Sequence, residues 1–311
     1  MAESYPVCTI LYDHRQMKRD FKCVWDAKAV LGESPVWVPT EGALYWVDIK
    51  NPTLHRYCPS KDNRDSWPLP ETVGCVAPLE DNQLLVALKP GLYAFPTPQP
   101  NQNLQLSLLA PAPTTEASLR FNDGKRAPDG VFWVGTMDDR EETDIGCWYR
   151  FDPAEGLRQV ACGYRVTNGP AFDPDRKCMY VTDSARRTIF RATGWGTDVL
   201  AGKTEVFRIF GSNQGTPDGM TVDESGRLWV AFWGAACVRA LDPETAEILD
   251  TIRLPAPRPT SCIFGGSEGD ILFITSASVG LNENLLRRFP QSGGVFALKM
   301  SGVRGCRSVA A

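Results

Sequence analysis

Six short apolar segments recur at a regular interval along the 311-residue chain, and aromatic and β-branched residues dominate them. The valine or isoleucine at the same place in each segment is followed by its next counterpart after 39, 48, 47, 49 and 44 residues. The segments are 44–47, 84–87, 132–135, 179–182, 228–231 and 272–275. A repeat of about 40 to 50 residues is the size of one propeller blade. Residues of these types favour buried strands.

Each repeat holds further short strand patterns around its apolar segment, separated by turn residues. One precedes the segment, as in Val36–Val38, and two follow it, as in Thr188–Ala192 and Glu205–Phe210. Four strands in each of six units predict an all-β, six-bladed β-propeller. The last unit ends near Ala297 without a fourth strand, whereas Phe21–Val30 reads as a strand without a unit. We therefore expect the N-terminal strand to join the last blade and close the ring, which removes an exposed edge.

Composition and hydropathy limit the possible domain organisation, partners and cellular compartment of the protein. We expect residues 21–311 to form one domain behind an N-terminal extension, 1–20, whose apolar part is too short for a signal peptide. A net charge of −4 without a basic stripe argues against a nucleic-acid partner. The sequence contains no run of 18 apolar residues, so we expect no transmembrane helix. The ten cysteines show no CxxC pairing, so we expect reduced thiols in a cytoplasmic protein.

Four repeats carry an acid or an amide just before their first strand. These residues are Glu33, Asn122, Asn168 and Asp218, and each precedes the valine of its apolar segment by 12 to 14 residues. An Asn-Gly or Asp-Gly pair alone is an ordinary turn. The shared position in the repeat is the stronger signal, because equivalent positions meet at the axis of a propeller. The sequence therefore predicts that these four side chains converge.

An all-oxygen set of this kind suits hard divalent cations such as Ca²⁺, Mg²⁺ and Mn²⁺. Zn²⁺ and Fe²⁺ are also compatible if three ligands leave positions open for water and substrate. The two histidines, His14 and His55, have no catalytic-triad context, and no GxSxG motif supports a serine hydrolase. Asp48 and Asp183 follow apolar segments at matching positions, where we expect rim residues and not ligands.

The motifs as an ordered set resemble the senescence-marker-protein/gluconolactonase/luciferin-regenerating-enzyme family, from about Phe21 to Lys299. The matching stretches are Leu-Gly-Glu-Ser-Pro-Val-Trp, Leu-Tyr-Trp-Val-Asp-Ile, Arg-Phe-Asn-Asp-Gly-Lys, Val-Gly-Thr-Met, Thr-Asn-Gly-Pro-Ala-Phe, Val-Thr-Asp-Ser and Pro-Asp-Gly-Met-Thr-Val-Asp. The bacterial sugar lactonases of this family are the most similar in these motifs. The resemblance implies a propeller enzyme that uses one divalent metal ion.

The resemblance also implies roles for particular residues. It places the metal on Glu33, Asn168 and Asp218, and it assigns substrate binding to Arg120 and Asn122. Some members use a further Glu shortly after Gly-Thr-Met, whereas this chain has Asp138-Asp139-Arg140 there, a departure that bears on substrate preference.

The expected activity is hydrolysis of an aldonolactone to the open sugar acid, with a small-molecule sugar lactone as the partner. The metal, Ca²⁺, Mn²⁺, Mg²⁺, Zn²⁺ or Fe²⁺, would polarise the lactone carbonyl, and Asp218 would act as general base on a water molecule. Two alternatives use the same site: a phosphotriesterase-like hydrolase and a non-enzymatic calcium-binding regulatory protein. The sequence does not distinguish the metals, the lactones or the oligomeric states.

Overall fold

A computed structural model describes residues 21–306 apart from Thr115, 197–198 and 203, so the predicted extension 1–20 lies outside the described residues. The described chain forms six sheets of four antiparallel strands each. The innermost strands of neighbouring sheets contact one another in sequence, and the innermost strand of the sixth sheet contacts that of the first. This closed ring of sheets is the predicted six-bladed β-propeller.

Within each blade the strands pair in order from the innermost to the outermost. Blades 1 to 3 consist of β2 Gly32–Val38, β3 Ala43–Asp48, β4 Thr53–Cys58 and β5 Asn63–Pro68; β6 Val73–Pro78, β7 Gln83–Leu88, β8 Gly91–Pro96 and β9 Ser107–Pro111; and β10 Leu119–Arg126, β11 Phe132–Asp138, β12 Gly146–Asp152 and β13 Gly156–Tyr164. Blades 4 to 6 consist of β14 Thr167–Asp173, β15 Cys178–Asp183, β16 Thr188–Thr193 and β17 Thr204–Ile209; β18 Thr216–Val222, β19 Leu228–Trp233, β20 Cys237–Leu241 and β21 Ile248–Arg253; and β22 Pro259–Gly265, β23 Ile271–Ser276, β24 Val295–Lys299 and β1 Lys22–Trp25.

Two short helices, α1 Val199–Gly202 and α2 Glu283–Arg288, and one 3-10 turn, Ser212–Gln214, lie in the connections. Among the described residues no helix is long and apolar enough to cross a membrane.

The recurring apolar segments form the second strand of each blade and supply its core. Every residue of β3, β11 and β15 is buried. The buried apolar side chains of the described residues group into six clusters, each shared by two neighbouring blades. A second strand is therefore covered on both faces, which explains its continuous apolar run. Full burial of one leucine, such as Leu44, contributes about 1.5–3 kcal/mol.

The predicted ring closure is confirmed. Strand β1 pairs antiparallel with β24, with Lys22 opposite Ala297 and Cys23 opposite Phe296. The strand is shorter than the predicted Phe21–Val30, because the chain after Trp25 turns into a loop in which Lys28 has a φ of 55°. Blade 6 thus takes three strands from the C-terminal end of the propeller and one from its N-terminal end.

The prediction of reduced cysteines is wrong for one pair. Cys147 on β12 and Cys162 on β13 lie directly opposite each other in the strand ladder and form a disulfide. Their pairing depends on the register of two strands, which the scattered cysteine positions did not indicate. The other described cysteines are free thiols, and Cys178, Cys237 and Cys262 among them are buried.

Candidate metal and substrate site

The four predicted oxygen-bearing residues lie in the first half of four different innermost strands, where each strand pairing is interrupted. The register with the second strand shifts between Glu33 and Val36, Phe121 and Gly124, Asn168 and Ala171, and Pro217 and Met220. Such β-bulges re-aim side chains and are frequent next to active sites. A Gly or Pro within two residues after each predicted ligand was the local sequence signal for them.

All four side chains are buried at this end of the ring. The exposed fractions of Glu33, Asn122 and Asp218 are each 7%, and that of Asn168 is 4%. A buried polar group is costly unless it is hydrogen-bonded or bound to a ligand. The partners of these groups therefore indicate which atoms serve the protein and which are left for a ligand.

The two amides are joined to each other and to Arg120. The Arg120 Nη1 donates to Asn122 Oδ1 at 2.6 Å and to the Phe121 carbonyl at 3.0 Å. The Asn122 Nδ2 donates to Asn168 Oδ1 at 3.0 Å and to the Thr167 carbonyl at 2.6 Å. The structure thus places the residues of two separate predictions, metal ligand and substrate contact, in one hydrogen-bonded group.

Three buried carboxyl groups in the same region influence one another's pKa values through their charges. Burial raises the pKa of Glu33 to about 8, and the nearby Asp123 adds to the effect. Burial, followed by the charges of Glu33 and Asp123, holds the pKa of Asp218 well above its ordinary value. Burial raises the pKa of Asp123 to about 6 against the opposing influence of the Lys125 ammonium. Burial and crowding thus favour the neutral acids, and a cation bound nearby would favour their charged forms instead.

Asp123 and Lys125 link blade 3 to blades 4 and 5 near these acids. The Asp123 carboxylate accepts hydrogen bonds from the backbone N–H groups of Gly124 at 2.8 Å and Gly169 at 3.0 Å. The Lys125 Nζ extends from blade 3 to blade 5, where it donates to the Met220 carbonyl at 2.8 Å. Both Asp123 oxygens are therefore held by the protein. The sequence marked Asp123 and Lys125 only as neighbours of Asn122.

The donor set fits a hard divalent cation. The Asp218 Oδ1 is buried and has no hydrogen-bond partner among the described residues. The Glu33 Oε2 accepts a hydrogen bond from the Ser34 N–H at 3.1 Å. Within the described residues no three His, Cys, Asp or Glu side chains form a metal cluster by themselves, so a site here depends on the amide oxygen of Asn168. Carboxylate and amide oxygens are ligands that Ca²⁺, Mg²⁺ and Mn²⁺ accept.

An ion-pair network lies at the mouth of the site. Arg120 is 6% exposed, and its Nε donates to Asp139 Oδ1 at 2.6 Å. The same oxygen accepts from Lys50 Nζ, which comes from blade 1, at 2.8 Å. Asp139 occupies the segment in which the sequence departs from the expected glutamate, and here it holds the predicted substrate arginine. Sequence reasoning did not identify Lys50.

The rim aspartates have structural partners. Asp48 accepts the N–H groups of Val30 at 2.8 Å and Leu31 at 3.0 Å, and Asp183 forms an ion pair with Arg186 at 2.7 Å. These contacts fix the loops around the site, which agrees with their interpretation as rim residues. The His55 imidazole likewise lies within blade 1, where it stacks on the Trp46 ring.

Comparison with known proteins supports this picture of the fold. Residues 31–278 match the family described as the SMP-30/gluconolactonase/LRE-like region. The chain is 35% identical to 6-deoxy-6-sulfogluconolactonase of Pseudomonas putida over 93% of its own length and 98% of that protein. It is 33% identical to a pentonolactonase of Haloferax volcanii, over 82% and 84% of the two chains. A crystal structure of a calcium-binding protein, regucalcin, from Agrobacterium tumefaciens superposes with a TM-score of 0.85 at 27% identity, covering 93% and 96%. The chain therefore belongs to the SMP-30/gluconolactonase/LRE-like family.

Proposed function

We propose that this chain is a metal-dependent sugar lactonase that opens an aldonolactone to the aldonic acid. The named lactonases among its relatives cover most of the chain and support lactone hydrolysis. The observation that carries the metal-dependent part is the buried Asp218 Oδ1, which has no hydrogen-bond partner in the described part of the chain and lies near the Glu33 carboxyl group. A protein that gained nothing at this point would be more stable with an apolar side chain there.

Glu33, Asn168 and Asp218 would hold one divalent ion, chosen from Ca²⁺, Mn²⁺, Mg²⁺, Zn²⁺ and Fe²⁺. When bound, such an ion supplies a Lewis acid that polarises the lactone carbonyl and stabilises negative charge on its oxygen. A bulge in β2, β14 and β18 lies at or beside each of these three side chains, which come from blades 1, 4 and 5.

Asp218 would also act as general base. Its carboxylate accepts a proton from a water molecule as the water oxygen bonds to the carbonyl carbon. The bond between that carbon and the ring oxygen then breaks, and the ring oxygen leaves as a hydroxyl group after it receives a proton. One water molecule is consumed, and the product is the open-chain acid.

Arg120 and Asn122 are suited to orient the sugar hydroxyl groups. Arg120 uses Nε and Nη1 for protein contacts, and its Nη2 has no hydrogen-bond partner among the described residues. Asn122 commits both Nδ2 hydrogens to the protein, so towards a substrate it can only accept a hydrogen bond, through Oδ1. A site with paired donors and acceptors rejects lactones that lack the matching hydroxyl groups.

The direct test is lactone hydrolysis by protein stripped with EDTA and then supplied with each of the five ions. A panel of pentono- and hexonolactones, each corrected for spontaneous hydrolysis, would identify the substrate. We expect turnover only after an ion is restored. Tight metal binding without turnover on any lactone would contradict the proposal and favour a calcium-binding protein, whereas turnover on phosphotriesters alone would favour the other hydrolase.

Replacing Asp218 by Asn tests the general base. The side chain keeps its shape but loses proton affinity, so kcat should fall by about 10²–10⁴-fold, the usual contribution of a general base. The matched control is Asp129→Asn in the loop between β10 and β11. There the Asp129 carboxylate accepts a hydrogen bond of 3.1 Å from the Val131 N–H and contacts none of the four site residues. Turnover retained in Asp218→Asn with metal bound would rule out this role.

A further inference from the structure

A single chain of hydrogen bonds passes through the site and ends next to Asp218. It continues beyond Asn168, whose Nδ2 donates to Ser184 Oγ at 2.9 Å. The Ser184 hydroxyl in turn donates to the Pro217 carbonyl at 2.7 Å. Ser184 follows directly after β15, and Pro217 directly precedes Asp218 in β18. The chain therefore links blade 3 to blade 4 and blade 4 to blade 5.

The direction of every bond in this chain is determined by its two ends. A guanidinium group can only donate, so Arg120 requires Asn122 to present its oxygen. The Pro217 carbonyl can only accept, so Ser184 must spend its one hydrogen there. Ser184 is then left as an acceptor, and the amide of Asn168 must turn its nitrogen towards it.

This polarity decides which atom of Asn168 faces a cation. The Nδ2 group is committed to Ser184, and Oδ1 accepts only one hydrogen bond, from Asn122. An amide oxygen has two lone pairs, so one is left for a metal ion. A flipped amide would place N–H hydrogens where the cation requires an oxygen.

We propose that Ser184 is a positioning residue of the metal site, which holds Asn168 with its oxygen available and fixes the backbone that carries Asp218. One buried hydroxyl, 6% exposed, thus restrains two of the three proposed ligands. Neither the family resemblance nor the repeat assigned Ser184 a role. The inference rests on the metal site of the proposed function but not on the lactonase activity.

A purely structural serine would give a different pattern of effects. Ser292 is also buried, at 2% exposed, and its hydroxyl donates to the Phe289 carbonyl at 2.9 Å. Ser292→Ala therefore removes a comparable buried hydroxyl whose hydrogen bond involves none of the four site residues. It is the matched control for the loss of stability that Ser184→Ala causes on its own.

The experiment measures the Kd of Ca²⁺ and Mn²⁺ by calorimetry on the full chain. Ser184→Ala should raise Kd by about 10- to 100-fold, the usual effect of removing a partner of a metal ligand. Ser292→Ala should leave Kd unchanged. The same serine change is then made in an Asn168→Asp background. A carboxylate has an oxygen at both ends, so the loss of Ser184 should raise Kd much less there.

The outcomes separate the possible failures. An unchanged Kd in Ser184→Ala would overturn the positioning role, and the same increase in both backgrounds would overturn the part that concerns Asn168. A wild-type chain that binds no divalent ion would overturn both this inference and the proposed function. Metal binding that depends on Ser184 in a protein without lactonase activity would support the positioning role and refute the lactonase proposal alone.

Discussion

Acidification should destabilise the propeller through His55, a residue of β4 in blade 1. The His55 imidazole on β4 stacks on the Trp46 ring at 4.0 Å, and the Trp25 ring of the closing strand meets it edge-on at 5.1 Å. Its Nδ1 hydrogen-bonds to Ser66 Oγ at 2.8 Å. Burial lowers the pKa of His55 from 6.5 to about 4. A proton on this ring would therefore be harder to accommodate in the folded protein than in the unfolded chain.

The sign and size follow from proton linkage. Above pH 6.5 the imidazole is neutral in both states, so it contributes no pH dependence. As the pH falls, the unfolded chain takes up the proton near 6.5 and the folded protein only near 4, so stability is lost across this window. Between pH 7 and pH 5 the loss is at most about 2 kcal/mol, at 1.36 kcal/mol for each pH unit. Half-burial and the attraction of the Trp46 face for a cation reduce the expected loss to about 1 kcal/mol.

The assay is urea unfolding of the wild type and His55→Phe at pH 7 and pH 5. Phenylalanine keeps an aromatic ring against Trp46 but cannot titrate, so the carboxyl groups common to both proteins cancel in the difference. The one other histidine, His14, is common to both proteins, so its titration also cancels in the difference. The reasoning would be refuted if His55→Phe lost as much stability on acidification as the wild type.

Two further substitutions test the geometry of the site. Gly219→Ala should lower the free energy of unfolding by about 1–3 kcal/mol, because an added Cβ would lie 2.1 Å from Ser261 Oγ and 2.4 Å from its Cβ. In thermal unfolding, Ser261→Gly in the same chain should restore part of the lost stability. No recovery in the double variant would contradict the clash. Lys50→Met should raise KM several-fold with little change in kcat, since Asp139 loses one of the two groups that hold it and the exposed pair is weak. The control in steady-state kinetics is Lys89→Met, because the Lys89 ammonium contacts only a backbone carbonyl among the described residues. A fall in kcat alone for Lys50→Met would argue against a binding role for Lys50.

The sequence was most informative where structure depends on local pattern. The interval between apolar segments gave the number of blades, and their continuous hydrophobicity marked the second strand of each blade. The unpaired strand pattern at 21–30 predicted the closure by β1 because the last repeat lacked one strand. The common position of Glu33, Asn122, Asn168 and Asp218 in the repeat placed them at one end of the innermost strands, which the structure confirms.

The pattern was less informative about contacts between different blades. Cys147 and Cys162 form a disulfide because β12 and β13 pair in one particular register, and a residue spacing of 15 alone does not show a register. Ser184 reaches Asn168 and Pro217 because the end of β15 lies beside the innermost strand of the next blade. These contacts require the distances between elements, whereas periodicity gives only their order.

The loops around the site differ between blades, which shows why a prediction from the repeat alone does not identify contacts such as the one between Lys50 and Asp139. Strands β7 and β8 are joined by only Lys89 and Pro90, whereas β11 and β12 are joined by the longer segment 139–145. Lys50 from blade 1 pairs with Asp139 in blade 3, although blade 2 stands between them in the ring. A symmetric propeller would repeat the same groups around its axis and would hold a sugar in six equivalent ways. Loops of unequal length remove that equivalence, so a substrate is oriented by the parts of the chain where the repeat fails.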